Sequence, residues 1–349
     1  MEQSLTWQQR LQAWLTMLRL GPTARGVLPF LLGATIAWSQ GNPINWAVLV
    51  ISSIGVICVM EMTFLINDYY DYEADVLNRT FHRLSGGSRI LPSGLLPQCS
   101  ALGAAYGCIL IAGVIGLILH FYYKTGPYTI PLGALALFIG YFYTAKPFRF
   151  SYHGLGEIAI WFACGWLATI SGYYLQTGHF DKVATLVSLP GATSVFLVIL
   201  ANEIPDVASD SLAGKRNLVV RLGKGKTGWL YNILLSLCYL NIIAIVFFEV
   251  PKVSAFLSLI ILPLIISNIL TVTKQKLEDK SLEPLSMKTM LIDHLITILY
   301  ATTFVIAGWG FELAFISDLI IIGILFLLCF VLEGLSFVSA SRIKEFIRQ

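Results

Sequence analysis

Long apolar segments alternate with short polar segments along almost the whole chain. Each apolar segment is close to the ~20 residues that an α-helix needs to cross the ~30 Å hydrocarbon core of a bilayer. The polar segments contain much of the charge and many glycines, which favours loops. The pattern predicts an all-α fold, a polytopic bundle of transmembrane helices. We predict ten spans, at residues 24–39, 46–66, 100–121, 127–144, 155–176, 184–204, 228–248, 253–273, 288–309 and 316–339.

The N-terminal segment, residues 1–22, is amphipathic instead of uniformly apolar. Trp7, Trp14 and several leucines alternate there with Arg10, Arg19 and glutamines. This composition predicts a helix that lies in the membrane interface. The segment has no short apolar core followed by a small-residue cleavage site, so we do not interpret it as a removable signal peptide.

Composition agrees with a membrane protein. The 349 residues are 56% hydrophobic and only 12% charged, and the mean hydropathy is +0.76, more apolar surface than a soluble domain can bury. We treat residues 1–349 as a single integral-membrane domain, with an extra terminal span in 316–349. The six cysteines are scattered without a Cys-x-x-Cys pair, which indicates neither a disulfide framework nor a zinc site.

The basic residues set the predicted orientation. With ten spans and a cytoplasmic N-terminus, all of the 23 lysines and arginines except Lys124, Lys182 and Lys252 fall on the cytoplasmic side. The same topology places the polar loops that carry candidate chemistry on that side. We therefore expect an active site that faces the cytoplasm. For the host membrane, we expect the inner membrane of a prokaryotic cell, and an organellar membrane remains the alternative.

Two triplets of polar residues share the spacing Asn-x-x-x-Asp-x-x-x-Asp. The first ladder is Asn67, Asp71 and Asp75, and the second ladder is Asn202, Asp206 and Asp210, 135 positions further on (206 − 71 = 135). On a helix, each ladder forms one polar stripe roughly 12 Å long. The constant offset also suggests an internal duplication.

Carboxylates that share one helix face repel one another, and Asp68 adds a further acid beside the first ladder. Mg²⁺ bound by one or two carboxylates and completed by water and phosphate oxygens would offset this repulsion. Either ladder alone could equally be a solvated helix end, whereas two ladders in register favour a metal–diphosphate site. Pro205 predicts a break within the second ladder that directs Asp206 and Asp210 inward.

The two ladders, on the second and sixth predicted spans, resemble the paired signatures of the UbiA superfamily of intramembrane aromatic prenyltransferases. Several loop motifs resemble its menaquinone branch, the 1,4-dihydroxy-2-naphthoate polyprenyltransferases. These motifs are Ser85-Gly86-Gly87-Ser88-Arg89-Ile90-Leu91-Pro92-Ser93-Gly94, Tyr143-Thr144, Gly154-Leu155-Gly156-Glu157, Gly214-Lys215 and Arg221-Leu222-Gly223. The chain departs from the superfamily in having a tenth predicted span and in lacking a Tyr-x-x-x-Lys element, since Tyr143 precedes Lys146 by three.

The resemblance implies Mg²⁺-dependent transfer of a polyprenyl group from its diphosphate to an aromatic acceptor, 1,4-dihydroxy-2-naphthoate on the menaquinone-branch interpretation. The predicted partners are these two substrates and the lipid bilayer, without nucleic acid. The predicted catalytic residues are Asp68, Asp71, Asp75, Asp206 and Asp210, of which Asp71, Asp75, Asp206 and Asp210 are the predicted metal ligands. The predicted substrate-binding residues are Asn67, Arg79, Tyr143, Lys146, Arg149, Asn202 and Lys215.

Two kinds of alternative remain open from the sequence. The same chemistry could act on 4-hydroxybenzoate, homogentisate, a porphyrin or a glycerol-phosphate lipid. A polytopic cation-coupled transporter would also have many spans and acidic residues at its mouth. Its polar residues, however, are usually near the middle of the bilayer, and here the acids cluster at the ends of spans.

Overall fold

The computed structural model describes residues 6–78, 81, 85–275, 277–308, 323, 324, 326–329, 331 and 334. Within these residues all regular secondary structure is helical, which confirms the predicted fold class. The α-helices are α1 Trp7–Met17, α2 Ala24–Ser39, α3 Trp46–Tyr70, α4 Tyr72–Leu77, α5 Gln98–Leu117, α6 Thr129–Phe142, α7 Gly156–Ile160, α8 Ala168–Thr177, α9 Lys182–Glu203, α10 Val207–Leu212, α11 Leu218–Ala244, α12 Val253–Leu257, α13 Leu262–Gln275 and α14 Asp279–Gly308. A π-helical turn over Ile118–Tyr122 extends α5, and another over Trp161–Leu167 joins α7 to α8.

Six helices of the described part are long and apolar enough to cross a membrane, or seven if a bent pair forms one span. The six are Trp46–Tyr70, Gln98–Tyr122, Gly156–Thr177, Lys182–Glu203, Leu218–Phe247 and Asp279–Gly308. The bent pair, Val253–Ile260 and Leu262–Lys274, turns by 51°. Two further predicted spans coincide with shorter helices, α2 and α6. The predicted tenth span, 316–339, lies mostly outside the described residues, so the count of ten stays a prediction.

Both ladders lie where a long helix breaks. The chain turns at Asp71, between α3 and α4, and again between Glu203 and Val207, which confirms the break expected at Pro205. The short helices that follow are equivalent in position, because α4 and α10 both have six residues and begin 135 positions apart (207 − 72 = 135). These short helices contact each other, so the two ladders meet.

Helix α11 begins ten residues before the predicted span at 228. Lys224 and Lys226 made this stretch look like a loop, but Asn217 caps the helix by accepting a hydrogen bond from the Val220 amide at 2.8 Å. The backbone at Gly223 has φ 74° and interrupts the helix there. A short helical segment, residues 218–222, therefore precedes the membrane helix, and Lys224 and Lys226 follow the interruption.

A large apolar core joins α2, α8, α9, α11, α13 and α14, and a smaller one joins α1, α3 and α5. Helices α2 and α8 approach closely at two glycines. A Cβ at Gly33 would lie 1.9 Å from the Thr169 carbonyl oxygen, and one at Gly172 would lie 1.8 Å from that of Phe30. Such contacts allow backbones to pack tightly in the low-dielectric interior of a membrane bundle. They fix α2, whose N-terminal end borders the ladders.

Helix α1 has the amphipathic character predicted for residues 1–22. Trp7, Leu11 and Leu15, one helical turn apart, are exposed along one face, whereas Ala13 and Met17 are buried in the smaller core. The exposed apolar stripe is what an interfacial helix would present to lipid. Its location in the membrane interface stays a prediction.

Candidate active site

A cavity of about 270 Å³ lies where the two ladders meet. Its polar wall includes both asparagines and the four aspartates of the ladders, together with Lys215, Glu203, Arg19 and Arg25. Its apolar wall includes Phe64, Ile160, Ile199 and Met290, which lie on membrane helices. The cavity therefore combines a charged region at the ends of the helices with an apolar region that leads into the bundle.

In the first ladder, hydrogen bonds hold Asp71 from two sides. Asn67 Nδ2 donates to Asp71 Oδ2 at 2.8 Å, and the Tyr152 hydroxyl donates to Asp71 Oδ1 at 2.8 Å. Asp75 is buried, and desolvation together with the nearby charges of Asp68 and Asp71 raises its pKa to about 8. A positive charge beside these carboxylates would therefore be strongly favoured.

The glycine-rich loop closes over Asp75. A Cβ at Gly87 would lie 2.4 Å from Asp75 Oδ2, and Gly87 has φ +67°, a conformation that favours glycine. Arg89 donates a hydrogen bond to the Asp75 carbonyl and packs 4.3 Å from the centroid of the Phe81 ring. These contacts explain why the motif contains glycine and arginine at these positions.

In the second ladder, Asp206 is held by residues that follow the first ladder. Asn78 Nδ2 donates to Asp206 Oδ1 at 2.7 Å, and the Gly86 amide donates to Asp206 Oδ2 at 3.1 Å. Burial nevertheless raises the pKa of Asp206. The loop after one ladder thus fixes a carboxylate of the other.

Asp210 and Asn202 complete the second ladder. Asn217 Nδ2 donates to Asp210 Oδ2 at 2.8 Å, and burial raises the pKa of Asp210 to about 6 in spite of the nearby Lys215. Asn202 lines the cavity, and its buried Oδ1 accepts no hydrogen bond from the described part of the protein. This oxygen is available to a ligand or to a metal-bound water.

Asp68 differs from the other predicted catalytic acids. Its carboxylate accepts hydrogen bonds from Arg19 and from the Ser88 hydroxyl, and it does not line the cavity. Arg19 and Ser88 do line the cavity. Asp68 is therefore placed to orient these two cavity residues, and its predicted role in catalysis stays untested.

The predicted cationic residues have different surroundings. Lys215 and Tyr143 line the cavity. Lys146 is exposed and does not, and the Arg149 guanidinium lies 3.3 Å from the centroid of the Tyr152 ring instead of in the cavity wall. The structure thus does not bring Lys146 or Arg149 directly to the ladders. Arg79 lies outside the described residues.

Several cavity or supporting residues were missed from the sequence: Arg19, Arg25, Asn78, Tyr152, Glu203 and Asn217. Arg19 and Arg25 were counted only as positive charges on the cytoplasmic side, although both line the cavity. Tyr152 and Asn217 occur within or beside polar loop segments, but no spacing rule links either of them to an aspartate. Glu203 adjoins Asn202, and this adjacency was the one signal that could have identified it.

The oxygen atoms around the cavity suit a Mg²⁺ ion that binds partly to the protein and partly to a substrate. Among the described residues, no three histidine, cysteine or acidic side chains converge into a ready-made metal cage. The four ladder carboxylates instead surround a shared cavity, together with the buried Asn202 Oδ1, which no described residue donates to. Oxygen ligands from a few side chains, completed by water and phosphate oxygens, are typical of Mg²⁺ sites.

Asn217→Ala should affect both the fold and the site. The buried Asn217 side chain caps α11 and also positions Asp210. We expect a loss of about 1 kcal/mol in the free energy of unfolding, from the missing cap. We also expect a roughly tenfold loss in activity or metal affinity, as for other residues that orient metal ligands. Thermal unfolding and a transfer assay in detergent would measure the two effects.

Asn45→Ala is the matched control, because Asn45 caps α3 by accepting a hydrogen bond from Val48 at the end remote from the ladders. It should lose similar stability and keep its activity. Equal activity losses in both variants would contradict a specific role for Asn217.

Comparison with known proteins identifies the family. The sequence model of the UbiA prenyltransferase family matches residues 27–292. A Mycobacterium leprae protein named 1,4-dihydroxy-2-naphthoate octaprenyltransferase is 28% identical over 223 residues, which cover 64% of this chain and 73% of the relative. UbiA prenyltransferase domain-containing protein 1 from Rattus norvegicus is 24% identical over 310 residues, 87% of each chain.

Solved structures share the fold. A digeranylgeranylglyceryl phosphate synthase matches with a TM-score of 0.61 at 17% identity, over 84% of this chain and 98% of its own. A UbiA homologue from Archaeoglobus fulgidus, bound to GPP and Mg²⁺, matches with a TM-score of 0.53 at 19% identity, over 82% and 99%. The family match decides between the enzyme and the transporter that the sequence left open. The chain belongs to the UbiA prenyltransferase family and is an integral membrane prenyltransferase.

Proposed function

We propose that this enzyme transfers a polyprenyl group from its diphosphate to 1,4-dihydroxy-2-naphthoate, with Mg²⁺ as the cofactor. The observation that carries the proposal is the cavity, which four aspartates from the two ladders line beside an apolar wall; three of them are buried and Asp206 is half-buried. A substrate with a charged diphosphate head and a hydrocarbon tail matches a cavity that has one charged region and one apolar region. The naphthoate acceptor rests on the loop motifs and on relatives that bear that name.

The residues can perform this chemistry by electrostatic stabilisation. Breaking the allylic C–O bond leaves the bonding electrons on the diphosphate and a positive charge on the prenyl carbon. Magnesium ions would supply positive charge to the departing diphosphate, held by Asp71, Asp75, Asp206 and Asp210. Lys215, Arg19 and Arg25 line the same cavity and would contact the remaining diphosphate oxygens.

The apolar wall has a complementary task. Phe64, Ile160, Ile199 and Met290 would contact the prenyl chain and keep water from the allylic cation. The electron-rich ring of the acceptor then attacks the cationic prenyl carbon. With 1,4-dihydroxy-2-naphthoate as the acceptor, its carboxylate leaves as CO₂. We propose that the cavity faces the cytoplasm, because the basic residues are concentrated on that side in the predicted topology. The host membrane in this proposal is the inner membrane of a prokaryote.

A transfer assay would test the proposal directly. Purified protein in detergent would be incubated with Mg²⁺, a labelled polyprenyl diphosphate and separate acceptors, namely 1,4-dihydroxy-2-naphthoate, 4-hydroxybenzoate, homogentisate and a glycerol-phosphate lipid. We expect a prenylated and decarboxylated product from the naphthoate alone. A product from another acceptor would overturn the acceptor assignment, and no transfer to any of them would contradict this set of candidate acceptors.

Arg149→Ala should lower transfer about tenfold, a milder effect than the loss of a ladder aspartate. Arg149 stacks on Tyr152, and Tyr152 donates to Asp71, so the guanidinium acts on the ladder only through that ring. The exposed Lys146 has no such link, and Lys146→Ala should lose less activity. The rates of the two variants under saturating Mg²⁺ would be compared. A larger loss in Lys146→Ala would contradict this interpretation.

A further inference from the structure

The Lys215 side chain joins the two ladders. Its Nζ lies 3.1 Å from Asp71 Oδ2 in the first ladder and 3.9 Å from Asp210 Oδ1 in the second. All three side chains are largely shielded from water, with exposures of 12%, 7% and 8%. Solvent therefore screens these interactions much less than it would screen a surface ion pair.

The backbone explains how one lysine reaches both ladders. Lys215 follows α10, and its amide donates to the Asp210 carbonyl oxygen at 2.8 Å, so its backbone is anchored to the second ladder. Its side chain extends from there to the first ladder, where Asp71 is also held by Asn67 and Tyr152. The ammonium thus links carboxylates that belong to different helix breaks.

The Lys215 ammonium balances part of the negative charge of the ladder carboxylates. Asp71 and Asp210 are buried acids in a cavity that contains two further ladder carboxylates, and like charges at short range repel one another. Removing the cation that pairs with a buried carboxylate is strongly destabilising. An ammonium between the ladders relieves this repulsion and holds the carboxylates near one another.

We propose that Lys215 is the built-in counter-cation of the two ladders, and that divalent metal ions compete with its ammonium for Asp71 and Asp210. The inference rests on the proposed metal site and concerns its regulation. The lysine preserves the spacing of the ladders when no metal is bound. It also weakens metal binding in the absence of a diphosphate, because the ion must displace an ammonium that already occupies two of its ligands.

Lys215→Met separates this role from simple contact with a substrate. In EDTA, the variant should unfold several degrees below the wild type, because Asp71 and Asp210 lose their cation. Without any diphosphate, its affinity for Mn²⁺, measured by titration calorimetry, should rise at least about tenfold, since no ammonium competes. Lys226→Met, at an exposed lysine on the same side of the protein, is the matched control and should change neither quantity.

Three other results would contradict the inference or the metal site on which it rests. If Lys215 were only a diphosphate ligand, Lys215→Met would leave both the EDTA unfolding temperature and the Mn²⁺ affinity unchanged, which would overturn the inference. If Lys215→Met does not fold, Asp71→Asn/Lys215→Met removes one charge of each sign and should restore folding; a double variant that stays unfolded would also overturn it. Wild-type protein that binds no Mn²⁺ even with prenyl diphosphate would instead contradict the proposed metal site.

Discussion

Replacing Asp71 or Asp206 by asparagine is expected to lower the rate of prenyl transfer at least about 100-fold, with the protein still folded in detergent. Loss of a single preorganised group that stabilises developing charge typically costs this much. Each aspartate occupies a fixed position in its ladder, Asp71 through Tyr152 and Asp206 through Asn78. Asparagine keeps the shape of the side chain but removes the charge that would hold Mg²⁺.

Glu73→Gln is the matched control for these substitutions. Glu73 lies on α4 beside the first ladder, but its side chain is exposed and does not line the cavity. It should transfer prenyl groups at close to the wild-type rate, which would show that position, not total acidity, matters. Near-normal Mg²⁺-dependent turnover in Asp71→Asn or Asp206→Asn would contradict the ladder assignment.

Chelation of divalent metal should abolish transfer, and the Mg²⁺ concentration needed to restore it should fall steeply as pH rises from about 6 to 8.5. Burial raises the pKa of Asp75 to about 8 and that of Asp210 to about 6. At pH 6 a metal ion must displace protons from these groups. For each proton displaced, the apparent metal affinity falls by up to about tenfold for every pH unit below the pKa. Half-saturating Mg²⁺ concentrations measured across this range would test it.

The same shifts predict how stability depends on pH without metal. Because the folded pKa of Asp75 is above the unfolded value of about 4, the folded protein holds a proton that the unfolded chain releases. The contribution of Asp75 to stability is therefore greatest at low pH and declines as pH rises from about 4 to about 8. In EDTA, thermal unfolding should show this decline, and Asp75→Asn should reduce it. A Mg²⁺ requirement that does not change with pH would contradict both expectations.

The fold class was accessible from the sequence because a bilayer imposes a simple length rule. A segment near 20 apolar residues has few alternatives to a spanning helix, since every backbone polar group must be paired within it. The rule fails where polar residues continue a helix beyond the membrane. Helix α3 therefore runs to Tyr70 although the predicted span ends at 66, and α11 starts at Leu218 although its span was predicted to start at 228.

The ladders were also accessible, because a spacing of four places residues on one helix face whatever the rest of the chain does. Their partners were not. Tyr152 reaches Asp71 from 81 positions away, and Asn78 reaches Asp206 across 128 positions. Neither residue belongs to a periodic pattern, so only tertiary packing brings these pairs together. Helix α4 contacts α10, and the segment with Tyr152 is held by a hydrogen bond from the Arg216 amide to the Tyr152 carbonyl oxygen. Lys146 looked as suitable as Lys215 from charge alone.

The sequence by itself determined that this protein is a bundle of membrane helices with two aspartate ladders at helix ends, because hydrophobic length and residue spacing are local properties. The tertiary structure decided which side chains surround the ladders. It paired Asp68 with Arg19, brought Lys215 between Asp71 and Asp210, and left Lys146 exposed. Electrostatic contacts depend on distances of a few ångströms between residues far apart in the chain, and these distances are fixed only when the helices pack.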